Sequence, residues 1–180
     1  MLKAEGKQVI SNDYMALGAT YSKALIENNR VKLSLDKAVK LIEPAENSDK
    51  FVQSTYKDLY FKAHENVLID NIRANINTLR NPYQRAIATS ALIRACFKKR
   101  PRGIFTYVGH RYDDGRKDLQ TSLEQHFLDA VKLINNAVFD NGMINKYRRG
   151  DAMAISDRAD LIYIDPPYYS PHSDNEYVRR

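Results

Sequence analysis

The spacing of hydrophobic positions changes along the chain, and the changes mark out its elements. Val9 and Ile10 form a short apolar stretch that Asn12 and Asp13 end at once, which predicts a strand over Lys7–Ser11. From Tyr14 to Asn28 apolar residues recur at helical spacing through Met15, Leu17, Tyr21, Ala24, Leu25 and Ile26. Asn28-Asn29 stops that helix, and Lys32–Ile42 predicts a shorter one that Pro44 closes. After the polar break Asn47–Lys50, one long helix is predicted over Ser54–Leu79. Its apolar face runs through Leu59, Tyr60, Ala63, Val67, Ile69, Ile72, Ile76 and Leu79. Asn81-Pro82 restarts the pattern, with Asn81 as the cap and Pro82 in the first turn of a helix reaching Lys98.

Beyond Lys98 the texture shifts. Lys98–Gly103 is a basic break, Ile104–Val108 alternates like a strand, and Asp113-Asp114-Gly115 marks a turn. Leu119–Val138 returns to helical spacing, with a capping box from Ser122 and Gln125 or from Thr121 and Glu124. Asn141-Gly142 ends it, and a short link leads to Gly150-Asp151 and a stub of helix. Leu161–Ile164 follows as an apolar run of the kind that suits a buried parallel strand. Strands near both ends and helices between them predict an α/β fold, a sheet domain interrupted by a helical insert. No internal repeat is present.

With 180 residues, 43% of them hydrophobic and 28% charged, the chain can form a core, which excludes a wholly disordered or fibrous protein. No stretch approaches the ~20 apolar residues of a membrane span, and the N-terminus lacks the apolar run of a secretory signal. The lone Cys96 forms no internal disulfide, which suits a reducing, cytoplasmic setting. The net charge of +6 suits an anionic partner without identifying one. The basic residues concentrate between Lys98 and Lys117, where seven stand against two acids and Tyr107 and Tyr112 are interleaved. That composition suits phosphate contact and base reading, and equally a solvated turn. His64, His110, His126 and His172 show no metal-ligand spacing.

The segment that carries chemistry is Asp165-Pro166-Pro167-Tyr168, directly after the apolar run. In open parallel sheets, ligands bind just beyond the carboxyl ends of strands. Asp165 offers a carboxylate acceptor there, and Pro166 keeps a carbonyl that accepts. Two successive prolines stiffen the loop, so both acceptors are held in place. Tyr168 adds an aromatic face on which a base can stack. Two fixed acceptors and a stacking platform suit a planar exocyclic base amine, such as that of adenine. By average composition the tetrapeptide arises by chance on the order of once in a thousand chains of this length.

On these residues the chain resembles the DNA adenine methylases, in which Asp-Pro-Pro-Tyr is the catalytic signature. Three further segments agree. Val9–Asp13 is similar to the family's second sheet strand, whose terminal acid, here Asp13, binds the ribose of S-adenosylmethionine. Arg102–Tyr112 is similar to the Gly-x-Phe hairpin of the target-recognition region. Gly150-Asp151 is similar to the acid that holds the cofactor's adenine. The resemblance implies a partial Rossmann-like methyltransferase sheet over residues 1–30 and 146–180. A helical target-recognition insert would span 31–145, with its hairpin near 103–112. It implies double-stranded DNA as partner, touched by Arg102, Tyr107, His110, Arg111, Tyr112 and Arg116. It also implies catalysis by Asp165, Pro166, Pro167 and Tyr168 on a flipped adenine, with no metal. By residue type alone, Asp13 and Asp151 remain readable as helix caps.

The family's first strand and its glycine loop, which approaches the methionine end of the cofactor, have no counterpart here. The later sheet strands would lie beyond Arg180. The expectation is therefore a methylase cut at both ends and inactive alone, with a second chain supplying the glycine loop. Two other readings stay open at this stage. One is a non-catalytic DNA-binding remnant; the other is a methylase for RNA or another exocyclic base amine.

Overall fold

One pair of parallel strands draws together the two ends of the described chain. The computed structural model describes residues 1–100, 105 and 115–165. β1 (Ile10–Asp13) pairs with β2 (Lys146–Arg149), placing Ile10 opposite Lys146 and Asp13 opposite Arg149. Parallel strands cannot be joined by a tight turn and need a crossover. Here helices supply it: α1 (Ala16–Ser22) with a π-helical turn (Lys23–Glu27), α2 (Leu35–Ile42), α3 (Phe51–Thr55), α4 (Ala63–Thr78), α5 (Pro82–Lys98), α6 (Lys117–Gln120) and α7 (Leu123–Ala137). A short 3-10 turn, Ala152–Ala154, follows β2.

The helix starts follow capping chemistry. Asn81 Oδ1 accepts from the backbone N–H groups of Tyr83 and Gln84 at 2.9 and 3.2 Å, with Pro82 behind it, so α5 runs as predicted. Ser122 Oγ accepts from Gln125 N–H at 3.1 Å and starts α7 there. The predicted helix over Leu119–Val138 is thus cut by its own cap, leaving α6 as one separate turn. Ser34 caps α2 in the same way, which moves its start from Lys32 to Leu35. The core lies between α5 and the helices around it. Ala88, Ala91 and Ala95 on α5 are fully buried, and these small side chains allow α7 to approach with Phe127 and Val131. Ile72 of α4, Ile87 of α5 and Leu33 complete the buried centre.

The long helix expected over Ser54–Leu79 is two helices. The break is caused from a distance. The buried Asp70 of α4 accepts from Val52 and Gln53 backbone N–H groups, both at 2.9 Å, and so caps α3 from across the turn. Arg73 balances its charge at 2.8 Å. Between the helices, Tyr56, Tyr60 and Phe61 turn inward against Phe105 or one another instead of continuing the helical stripe. β1 also begins later than predicted, at Ile10, because the Val9 N–H bonds to Asn145 Oδ1 at 2.9 Å. β2 was expected to be a link.

The clearest departure is Leu161–Ile164. The apolar run was expected as a buried parallel strand, yet these residues belong to no strand and are 74%, 68%, 81% and 76% exposed. A strand needs a hydrogen-bonded neighbour and a covered face. Among the described residues β1 and β2 pair only with each other, so the run has neither.

Two buried polar features hold the helices in register. Lys99 Nζ lies 3.0 Å from Glu65 Oε1 and donates to the Leu119 and Thr121 carbonyls at 2.8 and 3.0 Å. Glu65 also accepts the Lys62 N–H at 2.9 Å, closing the start of α4. Near the N-terminus Lys3 Nζ donates to the Leu25 and Asn28 carbonyls at 3.2 and 2.9 Å, and burial lowers its pKa. Lys99→Met removes every partner of a largely buried carboxylate except one N–H, and should cost about 3–5 kcal/mol in urea unfolding. Burial, assisted by the Glu65 charge, pushes the Cys96 thiol up to about 12. At pH 8 only about one molecule in ten thousand then carries the reactive thiolate. A disulfide reagent should therefore label native protein slowly and label it at once in denaturing urea.

Candidate active site

The carboxyl ends of two parallel strands are where an α/β protein receives a ligand. β1 ends in Asn12 and Asp13, and β2 runs into Gly150-Asp151. The two ends are joined directly. Asn12 Nδ2 donates to the Gly150 carbonyl at 3.0 Å across 138 positions of sequence, and the Gly150 N–H donates to the Asp13 carbonyl at 3.2 Å. Asp13 and Asp151, far apart in the chain, therefore flank the same end of the sheet.

Asp151 performs the capping role that its residue type allows: its Oδ1 accepts the Met153 N–H at 2.9 Å and starts the 3-10 turn. Asp13 instead closes a turn just ahead of α1, its Oδ1 accepting the Met15 N–H at 2.7 Å, while Met15 holds the cap position of the helix. The Asp13 carboxylate is also closely fitted. It lies over Gly18, where a Cβ would stand 1.8 Å from Oδ2 and 2.5 Å from Cγ. Gly18 is thus the flat seat on which this carboxylate rests. Ser11 and Ser22 share a 2.8 Å hydrogen bond that fixes α1 against β1 below it.

A cleft of about 460 Å³ opens beside these strand ends, lined by Asn12, Tyr147, Arg149, Gly150, Asp151 and Ile155 among others, with Asp13 next to it and outside its lining. One wall is set by Arg148, whose Nε and Nη2 donate to the two Asp157 oxygens at 2.7 and 2.8 Å. That bidentate grip folds the segment after the 3-10 turn back towards β2 and holds the Asp157 carboxyl below its usual range. Asp165 lies at the end of the exposed apolar run, and Pro166, Pro167 and Tyr168 lie outside the described residues.

Of the residues expected to touch DNA, Arg102, Tyr107, His110, Arg111 and Tyr112 lie outside the described residues. Arg116 is described and lines a second cavity with Tyr21, Arg94, Lys98, Arg100 and Asp118. Among the described residues no group of three His, Cys, Asp or Glu side chains is placed to hold a metal. His126 Nε2 instead shares a 2.7 Å hydrogen bond with the Asp118 carbonyl, and His64 is exposed. Among the described residues no helix is long and apolar enough to cross a membrane. Gly18 escaped the reading of the sequence, its only signal being its place one turn into the helix after Asp13.

The described residues form a mixed α/β fold with acids at the ends of neighbouring parallel strands. Comparison with known proteins makes this specific: the chain belongs to the D12 class N6 adenine-specific DNA methyltransferase family, whose profile matches residues 1–178. It is similar to Type II methyltransferase M2.HphI of Haemophilus parahaemolyticus, 32% identical over 182 residues. That alignment covers 92% of this chain and 54% of the relative, so the chain spans about half the relative's length. No solved structure matches.

The seat under Asp13 makes a prediction in which a sign reverses. Gly18→Ala ordinarily stabilises a helix by up to about 1 kcal/mol. In this chain it should lower the thermal midpoint by displacing the Asp13 carboxylate and its bond to Met15. In an Asp13→Ala background the same substitution should raise the midpoint.

Proposed function

We propose that this chain is the part of a DNA adenine methyltransferase that carries two cofactor-binding acids and the catalytic loop. The observation that carries the reading is the meeting of Asp13 and Gly150-Asp151 at adjacent parallel strand ends, in a chain that also holds Asp165-Pro166-Pro167-Tyr168. The donor set fits S-adenosylmethionine. Ribose hydroxyls and an adenine amine call for carboxylate acceptors, and each acid spends one oxygen on a backbone N–H while retaining acceptor capacity. The cleft of about 460 Å³ is of ligand size. In this reading β1 and β2 belong to a Rossmann-like methyltransferase sheet contributed by residues 1–30 and 146–180. Residues 31–145 form the target-recognition insert.

When bound, the cofactor supplies an electrophilic sulfonium methyl. The chain's residues do the rest. Tyr168 stacks on an adenine turned out of the duplex. Asp165 and the Pro166 carbonyl accept hydrogen bonds from its exocyclic amine, orienting the nitrogen lone pair and increasing its electron density. Catalysis is then positioning and electrostatic stabilisation by groups held in place beforehand. Double-stranded DNA is the substrate, and Arg102, Tyr107, His110, Arg111, Tyr112 and Arg116 contact it.

The exposure of Leu161–Ile164 bears on how the enzyme works. Four successive exposed apolar residues just before the catalytic loop favour an active form in which a further surface covers them.

Transfer of labelled methyl from S-adenosylmethionine to unmethylated DNA tests the reading. Label should enter adenine, and Asp165→Ala should lower the rate by at least about 100-fold. Transfer unaffected by Asp165→Ala would remove that residue's role, and no transfer at all would favour a DNA-binding remnant.

A further inference from the structure

The cleft beside the strand ends is built largely by one loop. Among the described residues, every residue that lines it except Asn12 comes from the stretch Tyr147–Asp157. β2 supplies one side of it, and the chain then turns through Gly150, Asp151 and the 3-10 turn to supply the other.

The start of the loop is bound to the sheet. The Gly150 N–H donates to the Asp13 carbonyl at 3.2 Å, and the Gly150 carbonyl accepts from Asn12 at 3.0 Å. Beyond Gly150 the backbone bonds are internal. Asp151 Oδ1 takes the Met153 N–H, the Asp151 carbonyl takes the Ala154 N–H at 3.1 Å, and the Ala152 carbonyl takes the Ile155 N–H at 3.3 Å. These bonds shape the loop without attaching its far end to anything. Apolar packing does not attach it either, because from Asp151 to Asp160 every residue is exposed except the half-buried Asp157. Seven residues running straight on from Gly150 would carry the chain about 23 Å away. Instead Asp157 returns to β2, where both its oxygens accept from Arg148, at 2.7 and 2.8 Å.

The strand register puts this grip on the face that the loop crosses. Arg148 lies opposite Asn12 in the parallel pair, so the two side chains project from the same face of the sheet. Asn12 holds the loop at its start and Arg148 holds it at its end. A planar guanidinium that meets both carboxylate oxygens fixes distance and angle together, which a lysine does not do. We propose that the Arg148–Asp157 pair is the positioning clamp of the cofactor site, closing the Gly150–Asp157 loop so that Asp151 stands ready in the cleft. The inference rests on the cofactor reading above and adds two positioning residues to it. Neither residue is a catalytic residue; each acts through the other on the shape of the cleft.

The test is equilibrium binding of S-adenosylmethionine to the full chain, without DNA. Arg148→Gln and Asp157→Asn should each raise the Kd about tenfold, the factor expected when the loop is in place one time in ten. The double variant should bind no more weakly than either single variant, because the two side chains share one interaction. In the chain without cofactor, backbone order parameters over Ala152–Asp157 should fall in all three variants, from about 0.85 towards about 0.6. The thermal midpoint should stay parental, since an exposed ion pair adds little to global stability. Arg30→Gln, which breaks the exposed Arg30–Asp140 pair outside the lining of the cleft, should change neither the Kd nor the order of the loop. If the chain binds the cofactor and the clamp variants match its Kd, the clamp is wrong and the cofactor reading stands. Additive losses in the double variant would also overturn the clamp, since each side chain would then meet the ligand on its own. A weaker Kd with unchanged loop order would overturn it for the same reason. If the parental chain binds no S-adenosylmethionine, the cofactor reading fails and the clamp's role fails with it.

Discussion

The arrangement depends on β1 and β2 lying side by side and parallel. A four-residue pair of this kind is weak by itself, and its residues are at best half-buried. Amides reinforce it. Asn145 accepts from Val9, Gln8 donates to the Ile144 carbonyl, and Asn141 donates to the Lys3 and Lys7 carbonyls at 3.0 and 2.9 Å. These bonds satisfy backbone groups that a wider sheet would otherwise serve. They also set the register that brings Asp13 level with Arg149, and hence close to Gly150-Asp151. A slip of one residue would turn the acids to opposite faces. The candidate site is a product of this closure, because no local segment of sequence contains both acids.

The helical middle answers a different constraint. A parallel crossover must travel away from the sheet and return, and the returning chain must bury its own backbone and apolar surface. The alanines of α5 make that helix the centre of the packing, with α1, α4 and α7 resting on it. Among the described residues the two buried carboxylates of α4 are paired: Asp70 has two N–H groups and Arg73, and Glu65 has Lys99 and the Lys62 N–H.

What could be read from the sequence follows the range of the forces involved. α5 was legible from Asn81 to Lys98 because its start is local capping chemistry and its stripe is long. The division between α3 and α4 was not, because the Asp70 cap acts through space. β2 was invisible: Lys146-Tyr147-Arg148-Arg149 has no buried face and is a strand only because β1 lies beside it. Leu161–Ile164 shows the converse, since an apolar run states a preference for burial that only a neighbour can meet. At the site, residue type alone left Asp13 and Asp151 between capping and binding. The structure has Asp151 capping the 3-10 turn and Asp13 closing the turn before α1, while placing both at one end of the sheet. Family resemblance singled out those acids, but only coordinates reveal that Gly18 carries the Asp13 carboxylate.

The residues flanking 101–114 are pinned by side chains outside that stretch. Lys98 grips Asp118, and Lys99 holds the Leu119 and Thr121 carbonyls. The two flanks are thus stapled to each other, and Phe105 from within the stretch packs against Tyr60, Phe61 and Phe97. Once ends are fixed in this way, lengthening a connection costs little, about 0.6 kcal/mol for each doubling. An insertion between Lys98 and Asp118 therefore leaves the frame that holds the two acids intact.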